Sequence, residues 1–114
     1  MTEARVWRKR LGGGMRQVGI LAAGASYALD HHVERLAEDH DHAKELARAC
    51  GVDPATVETN IVVVDRPDAA SFVAAARAEG VLVSAVGPRT VRLVTHLGVS
   101  GDDTRRAAEV LSRL

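Results

Sequence analysis

Val81-Leu82-Val83-Ser84-Ala85-Val86-Gly87-Pro88-Arg89-Thr90-Val91-Arg92-Leu93-Val94-Thr95-His96 is two aliphatic, β-branched runs on either side of a turn sequence. Gly87-Pro88-Arg89-Thr90 interrupts strand pairing, because proline brings no backbone donor and glycine brings conformational freedom, so the stretch predicts a β-hairpin. Its strands are Val81 to Val86 and Val91 to His96. Alternation along the second places Arg92, Val94 and His96 on one face and Val91, Leu93 and Thr95 on the other. Arg92 therefore shares a side with an apolar residue and reads as a half-buried arginine that needs a partner. Either an internal Asp or Glu or the planar carboxylate of a ligand, gripped bidentately, meets that need.

Working outward, Thr59 to Asp65 is another β-branched run, closed by Arg66-Pro67, and reads as a strand. Asp68 is the N-cap of a helix to about Glu79, with Phe72, Val73, Ala76 and Ala69 inward and Gly80 as its stop. Downstream, Ser100 or Asp102 caps a final helix whose Ala107, Ala108, Val110, Leu111 and Leu114 form one apolar side. Upstream, Asp30 reads as the N-cap of a helix from His31 to about Ala49, ended by Gly51 with Pro54 beyond. Its apolar stripe is Val33, Leu36, Ala37, His40, Ala43, Leu46, Ala47 and Cys50. The remaining charges form a solvated face, with local pairs such as Arg35 and Asp39 contributing about 0.2–0.5 kcal/mol each. The order αα-β-α-β-β-α predicts an α/β fold, a small sandwich with a mostly antiparallel three-stranded sheet covered by helices.

Ahead of these elements, Val18 to Leu29 has no polar face apart from Ser26, and a helix apolar all round must be buried on all sides. A chain of 114 residues hardly surrounds one. The expectation is that part of it packs against protein outside this chain, either a large domain or another subunit. Before it, the basic run Arg5 to Arg10, with Trp7 packed locally, meets Gly12, Gly13 and Gly14. Consecutive glycines are costly to order and mark left-handed backbone or close approach. Arg16 and Gln17 would then sit in the first turn of the helix, where free N–H groups favour an anion. A glycine hinge feeding a helix, with no ligand, accounts for the same residues. The chain divides on this basis into a basic, glycine-rich segment at 1–17 and a small α/β domain at 18–114.

Net charge is zero, with 46% hydrophobic and 26% charged residues, which argues against a general polyanion-binding surface. Trp7, Tyr27 and Phe72 are the only aromatics, so the core is expected to be built from Val, Leu, Ile and Ala. A single cysteine, Cys50, excludes an internal disulfide, suits a reducing cytoplasm and reads as a buried apolar residue at a helix end. The apolar stretch after the basic run is too short to span a bilayer and lacks a signal-peptide cleavage pattern. The expected location is cytoplasmic, with no membrane partner. His31, His32, His40 and His42 contain no i, i+4 pair, and His40 and His42 point about 200° apart on a helix, so no metal site is expected. His40 reads as a buried or interface histidine that hydrogen-bonds.

Lys9-Arg10-Leu11-Gly12-Gly13-Gly14-Met15-Arg16-Gln17 and Gly19-Ile20-Leu21-Ala22-Ala23 resemble the segment following the cofactor lysine in low-specificity L-threonine aldolases. These are pyridoxal-phosphate lyases of the aspartate-aminotransferase-like fold. The resemblance continues through Tyr27-Ala28-Leu29, Arg35-Leu36-Ala37-Glu38-Asp39-His40, Thr59-Asn60-Ile61-Val62 and Val91-Arg92-Leu93-Val94-Thr95-His96-Leu97, so it covers almost the whole chain in the family's order. It implies the small C-terminal domain of a fold-type-I pyridoxal-phosphate enzyme of amino-acid metabolism. The chain would be its C-terminal part. In that family the Schiff-base lysine and the residues that hold the pyridine ring lie upstream of the glycine run. This sequence has two lysines, Lys9 and Lys44, and neither matches that position.

The resemblance further implies that Arg92 binds the carboxylate of a small amino-acid substrate, and that Lys9 and Arg16 lie near the active site or the cofactor phosphate at a subunit boundary. No catalytic residue is carried over, and His96 is expected to be structural. The implied reaction cleaves L-threonine or a related β-hydroxy-α-amino acid to glycine and an aldehyde in a homo-oligomer. Without the upstream lysine the chain alone is expected to bind no pyridoxal phosphate and to be inactive. Two other readings remain. One is a stand-alone, non-catalytic oligomerisation or interaction module using the apolar helix. The other, ranked last, is a nucleic-acid binder through Arg5, Trp7, Arg8, Lys9, Arg10 and Arg16, against which the zero net charge weighs.

Overall fold

β3 (Thr90–Val94), the second strand of the hairpin, lies between β1 (Ile61–Asp65) and β2 (Ser84–Ala85) and runs antiparallel to both, in the order β1-β3-β2. The computed structural model describes residues 1–114, which fall into two units, Met1–Glu34 and Arg35–Leu114. The apolar helix and the glycine run both fall in the first of these units.

In the first unit, α1 (Thr2–Arg10) is formed by the basic run, and α2 (Gly19–His31) is the apolar helix. No residue of either helix is buried. Trp7 packs locally, with the Arg10 guanidinium carbon 5.3 Å from the ring centroid. Asp30 is not an N-cap: α2 runs through it to His31, and a turn separates it from the next helix. The Tyr27 ring lies 4.3 Å from that of His31 one turn on, an i, i+4 pair that favours continuing the helix.

The second unit holds α3 (Leu36–Ala49), α4 (Ala69–Ala78) and α5 (Gly101–Leu111). Val62 pairs with Leu93 and Val64 with Val91, so all four side chains project from one face of the sheet. They meet Ala43, Leu46 and Ala47 of α3, Phe72 and Ala76 of α4, and Leu111 of α5 in a single aliphatic core. The α/β sandwich is therefore two-layered. Helices cover one face, and the other carries the exposed Ile61, Val63, Arg92 and Val94.

The helix ends are set locally. Asp68 accepts from the N–H groups of Ala70 and Ser71 and from the Ser71 hydroxyl at 2.6 Å. Ser100 and Asp103 form a reciprocal capping box at α5. Both α3 and α4 end in Schellman motifs on left-handed glycines: the N–H of Val52 reaches the Ala47 carbonyl at 2.8 Å and that of Val81 the Ala76 carbonyl at 2.9 Å, around Gly51 (φ +75°) and Gly80 (φ +82°). The second motif also explains why β2 is only two residues long. The N–H of Val81 is turned back onto α4, so the chain reaches pairing geometry only at Ser84.

On α3 the expected stripe holds from Ala43 to Cys50 and fails before it. Leu36 and Ala37 are exposed, and Asp39 is buried. The Arg35–Asp39 pair is accordingly not on a solvated face. Arg35 grips both carboxylate oxygens, at 3.1 and 3.2 Å, which lets Asp39 face inward. Cys50, the C-cap of α3, is buried, and that burial pushes its thiol pKa up.

Candidate functional site

Arg92 occupies the middle of the open sheet face, with Val63 directly across on β1 and Ser84 on β2. Ile61 and Val94 extend an apolar surface along the same face. Within the chain Arg92 is exposed rather than half-buried, and it makes no hydrogen bond or ion pair. No internal carboxylate serves it. Asp65 projects from the same face but is taken by Arg89 at 3.2 Å. The result is an unneutralised guanidinium among aliphatic side chains on the central strand.

Immediately beyond Arg92, the strand is tied down by groups that sequence reasoning did not single out. The Thr95 hydroxyl, buried, donates to the Asp39 carbonyl at 2.6 Å. The Thr95 N–H donates to the Asn60 carbonyl at 3.0 Å, and the Asn60 side-chain amide donates to the Thr95 carbonyl at 2.7 Å. Three sequence-distant stretches thus converge on one knot at the end of β3. The Arg-x-x-x-Asp spacing and the asparagine just ahead of a strand are the signals in the sequence that could have found it.

His96 is exposed, and its Nδ1 accepts from the Gly98 N–H at 3.1 Å, a local turn contact in keeping with a structural role. His40 is half-buried and forms no side-chain hydrogen bond, contrary to expectation, because its neighbour Asp39 takes the inward position. The side chains of His, Cys, Asp and Glu form no group of three able to hold a metal ion. No helix is long and apolar enough to cross a membrane.

Lys9 and Arg16 belong to the first unit and Arg92 to the second. The glycine run follows directly from how α1 ends. Gly12 is left-handed (φ +75°), and the Gly13 N–H reaches the Arg8 carbonyl at 2.8 Å, so the run closes the helix as a third Schellman motif. A Cβ on Gly13 would stand 3.1 Å from Arg8 Cγ and 3.2 Å from its carbonyl oxygen. Arg16 and Gln17 are not in the first turn of α2: Gln17 takes φ +50°, and the helix begins at Gly19 with Val18 as N-cap.

The donor set does not fit a complete pyridoxal-phosphate site. The Lys9 Nζ extends alongside Gly14, 3.9 Å from where a Cβ would stand, and Lys44 sits on α3 in the other unit. Tyr27, the aromatic nearest the glycine run in sequence after Trp7, is already packed against His31 and His32.

The family profile of beta-eliminating lyases matches residues 1–78. The low specificity L-threonine aldolase of Escherichia coli (strain K12) is 46% identical over 107 residues, covering 90% of this chain and 32% of that protein. The probable low-specificity L-threonine aldolase 2 of Arabidopsis thaliana is 40% identical over 114 residues, again 90% of this chain and 32% of that protein. A probable low-specificity L-threonine aldolase of Schizosaccharomyces pombe is 29% identical over 117 residues, 99% of this chain and 30% of that protein. The chain thus spans about a third of the length of the curated relatives it matches.

Proposed function

The chain belongs to the beta-eliminating lyase family, and from that premise we propose that it supplies the substrate-gripping portion of a threonine-aldolase-type lyase. The reaction is cleavage of L-threonine or a related β-hydroxy-α-amino acid to glycine and an aldehyde. Pyridoxal phosphate, held by protein outside these 114 residues, would supply the electron sink for the carbon–carbon cleavage.

One observation carries the reading: Arg92 stands unpaired on the central strand, with Val63 across on one side, Ser84 on the other and Ile61 and Val94 on the same face. Two parallel N–H···O bonds to a carboxylate fix both position and plane, which a lysine does not. Fixing the carboxylate orients the bond that is to break. Apolar Ile61, Val63 and Val94 strengthen the ion pair once the face is covered and water excluded. The knot of Asp39, Asn60 and Thr95 keeps β3 from sliding. Lys9 and Arg16 are placed by this reading near the cofactor phosphate or the active-site rim, and α2, with Ile20 81% and Leu29 71% exposed, against the remaining protein or another subunit of a homo-oligomer.

The test is a chimera in which this sequence replaces the matched third of the Escherichia coli relative, assayed for glycine and aldehyde from L-threonine. The chimera is expected to cleave. Arg92→Gln should raise KM for L-threonine at least tenfold, with Arg92→Lys recovering part of the loss. A chimera that binds pyridoxal phosphate but shows no cleavage, or an Arg92→Gln variant with unchanged KM, overturns the reading. The 114-residue chain alone, given pyridoxal phosphate and L-threonine, is expected to release no aldehyde.

A further inference from the structure

A concavity that does not include Arg92 lies at the end of the sheet. It opens between the segment leading into β2, the end of β3 and one side of α5, with a volume of about 390 Å³. That is within the range of small-molecule sites. Its floor is aliphatic: Leu46, Leu93 and Leu111 are buried there, and Val81 and Val83 are partly covered. Its rim carries both signs of charge, Arg106 and Asp103. Arg106 reaches over the αL glycine that ends α4, its Nη2 3.8 Å from where a Gly80 Cβ would stand, and it makes no ion pair. Asp103, also at the rim, has its carboxylate occupied by the Ser100 hydroxyl at 2.6 Å and the Ser100 N–H at 3.1 Å. After those Ser100 hydrogen bonds, the charge of Arg106 helps hold the Asp103 carboxyl below its ordinary value, but the guanidinium itself is engaged by no hydrogen bond or direct ion pair.

We propose that this concavity binds a small amphipathic carboxylate, with the aliphatic tail on the Leu46–Leu93–Leu111 floor and the carboxylate on the Arg106 guanidinium. The shape separates the two ends of such a molecule. A tail removed from water gains on the aliphatic floor, while the carboxylate stays at the half-open mouth, where bidentate pairing needs little desolvation. A simple polar anion such as phosphate gains only the arginine and leaves the floor wet. A neutral alcohol of equal length gains only the floor. The site rests on residues separate from Arg92, so it stands or falls independently of the aldolase reading.

The experiment is a ¹H–¹⁵N titration of the 114-residue chain with hexanoate, with 1-hexanol and inorganic phosphate as parallel probes. Saturable hexanoate shifts are expected at Leu82, Val83, Val99 and Ala107, and neither other probe should saturate at the same concentration. Arg106→Gln should raise the hexanoate Kd at least tenfold, Arg106→Lys should recover part of it, and Val83→Phe, which fills the floor, should abolish saturation. Arg92→Gln should leave the Kd within twofold. Shifts confined to the Val63–Arg92 face, an Arg106→Gln Kd within twofold of the parent, or hexanol binding as tightly as hexanoate each overturn the proposal.

Discussion

Asp39 shows how one residue changes what a helix face means. A carboxylate inside an aliphatic core is unfavourable unless paired, and here it is paired within its own helix by Arg35, while its carbonyl accepts the Thr95 hydroxyl. Removing the charge leaves Arg35 only its exposed pair with Glu38 and loosens the contact below it. Asp39→Ala is expected to destabilise the chain by about 1–3 kcal/mol, read as a lowered midpoint in urea unfolding, with Asp39→Asn less severe. Arg92 gives the opposite lesson. Alternation along the hairpin placed its side chain on the correct face, but alternation cannot say whether that face is covered. Sequence reasoning inferred half-burial, whereas α3, α4 and α5 pack on the other side of the sheet.

At the level of elements, punctuation was legible and continuity was not. Asp68, Gly51 and Gly80 each set a helix end through one side chain or one backbone torsion, so they act as the sequence suggested. Gly51 isolates the torsional cost, since no atom lies within 4 Å of a Cβ built on it. Gly51→Ala should cost about 1–2 kcal/mol through the left-handed backbone alone, whereas Gly51→Asn should cost less. Ser100→Ala, which removes one half of the capping box, should cost about 1 kcal/mol. Asp30 misled because a good cap residue is only a permission to start. The helix through it continues where Tyr27 and His31 pack one turn apart. β2 was overestimated because Val81 and Val83 suit a strand by composition, while the closing motif of α4 claims the backbone of Val81.

Across the whole molecule, burial is uneven. The Arg35–Leu114 unit owns the core, and α1 and α2 contribute nothing to it. Helices this short gain most of their stability from packing, so hydrogen exchange of the isolated chain should be fast through 19–31 and slow in β1 and β3. Equal protection in both would contradict the burial pattern. The acid limb follows from two caps. The Asp68 carboxyl is held below its usual value chiefly by the Ser71 hydroxyl and N–H, and that of Asp103 by the Ser100 hydroxyl and N–H. A depressed folded-state pKa means stability that is full above the ordinary aspartate value near 3.8 and lost as pH falls through the lowered one. The parent should therefore lose stability below about pH 4, and Asp68→Asn combined with Asp103→Asn should flatten that loss while lowering stability at neutral pH.

The strand order has a consequence for how the chain is made. β1 and β2 are not neighbours; each finds its partner only in β3, which is synthesised after both. A nascent chain that has emerged through Val86 holds two strands with nothing to pair, and Val62 and Val64 have only α3 and α4 to pack on. Assembly of the sheet is thus deferred until β3 emerges and inserts between edges already present, and α5 follows to seal Leu111 over them. Non-local closure of that kind slows folding and leaves an aliphatic surface open while the ribosome works. Chains stalled before Thr90 should be the ones that chaperones hold.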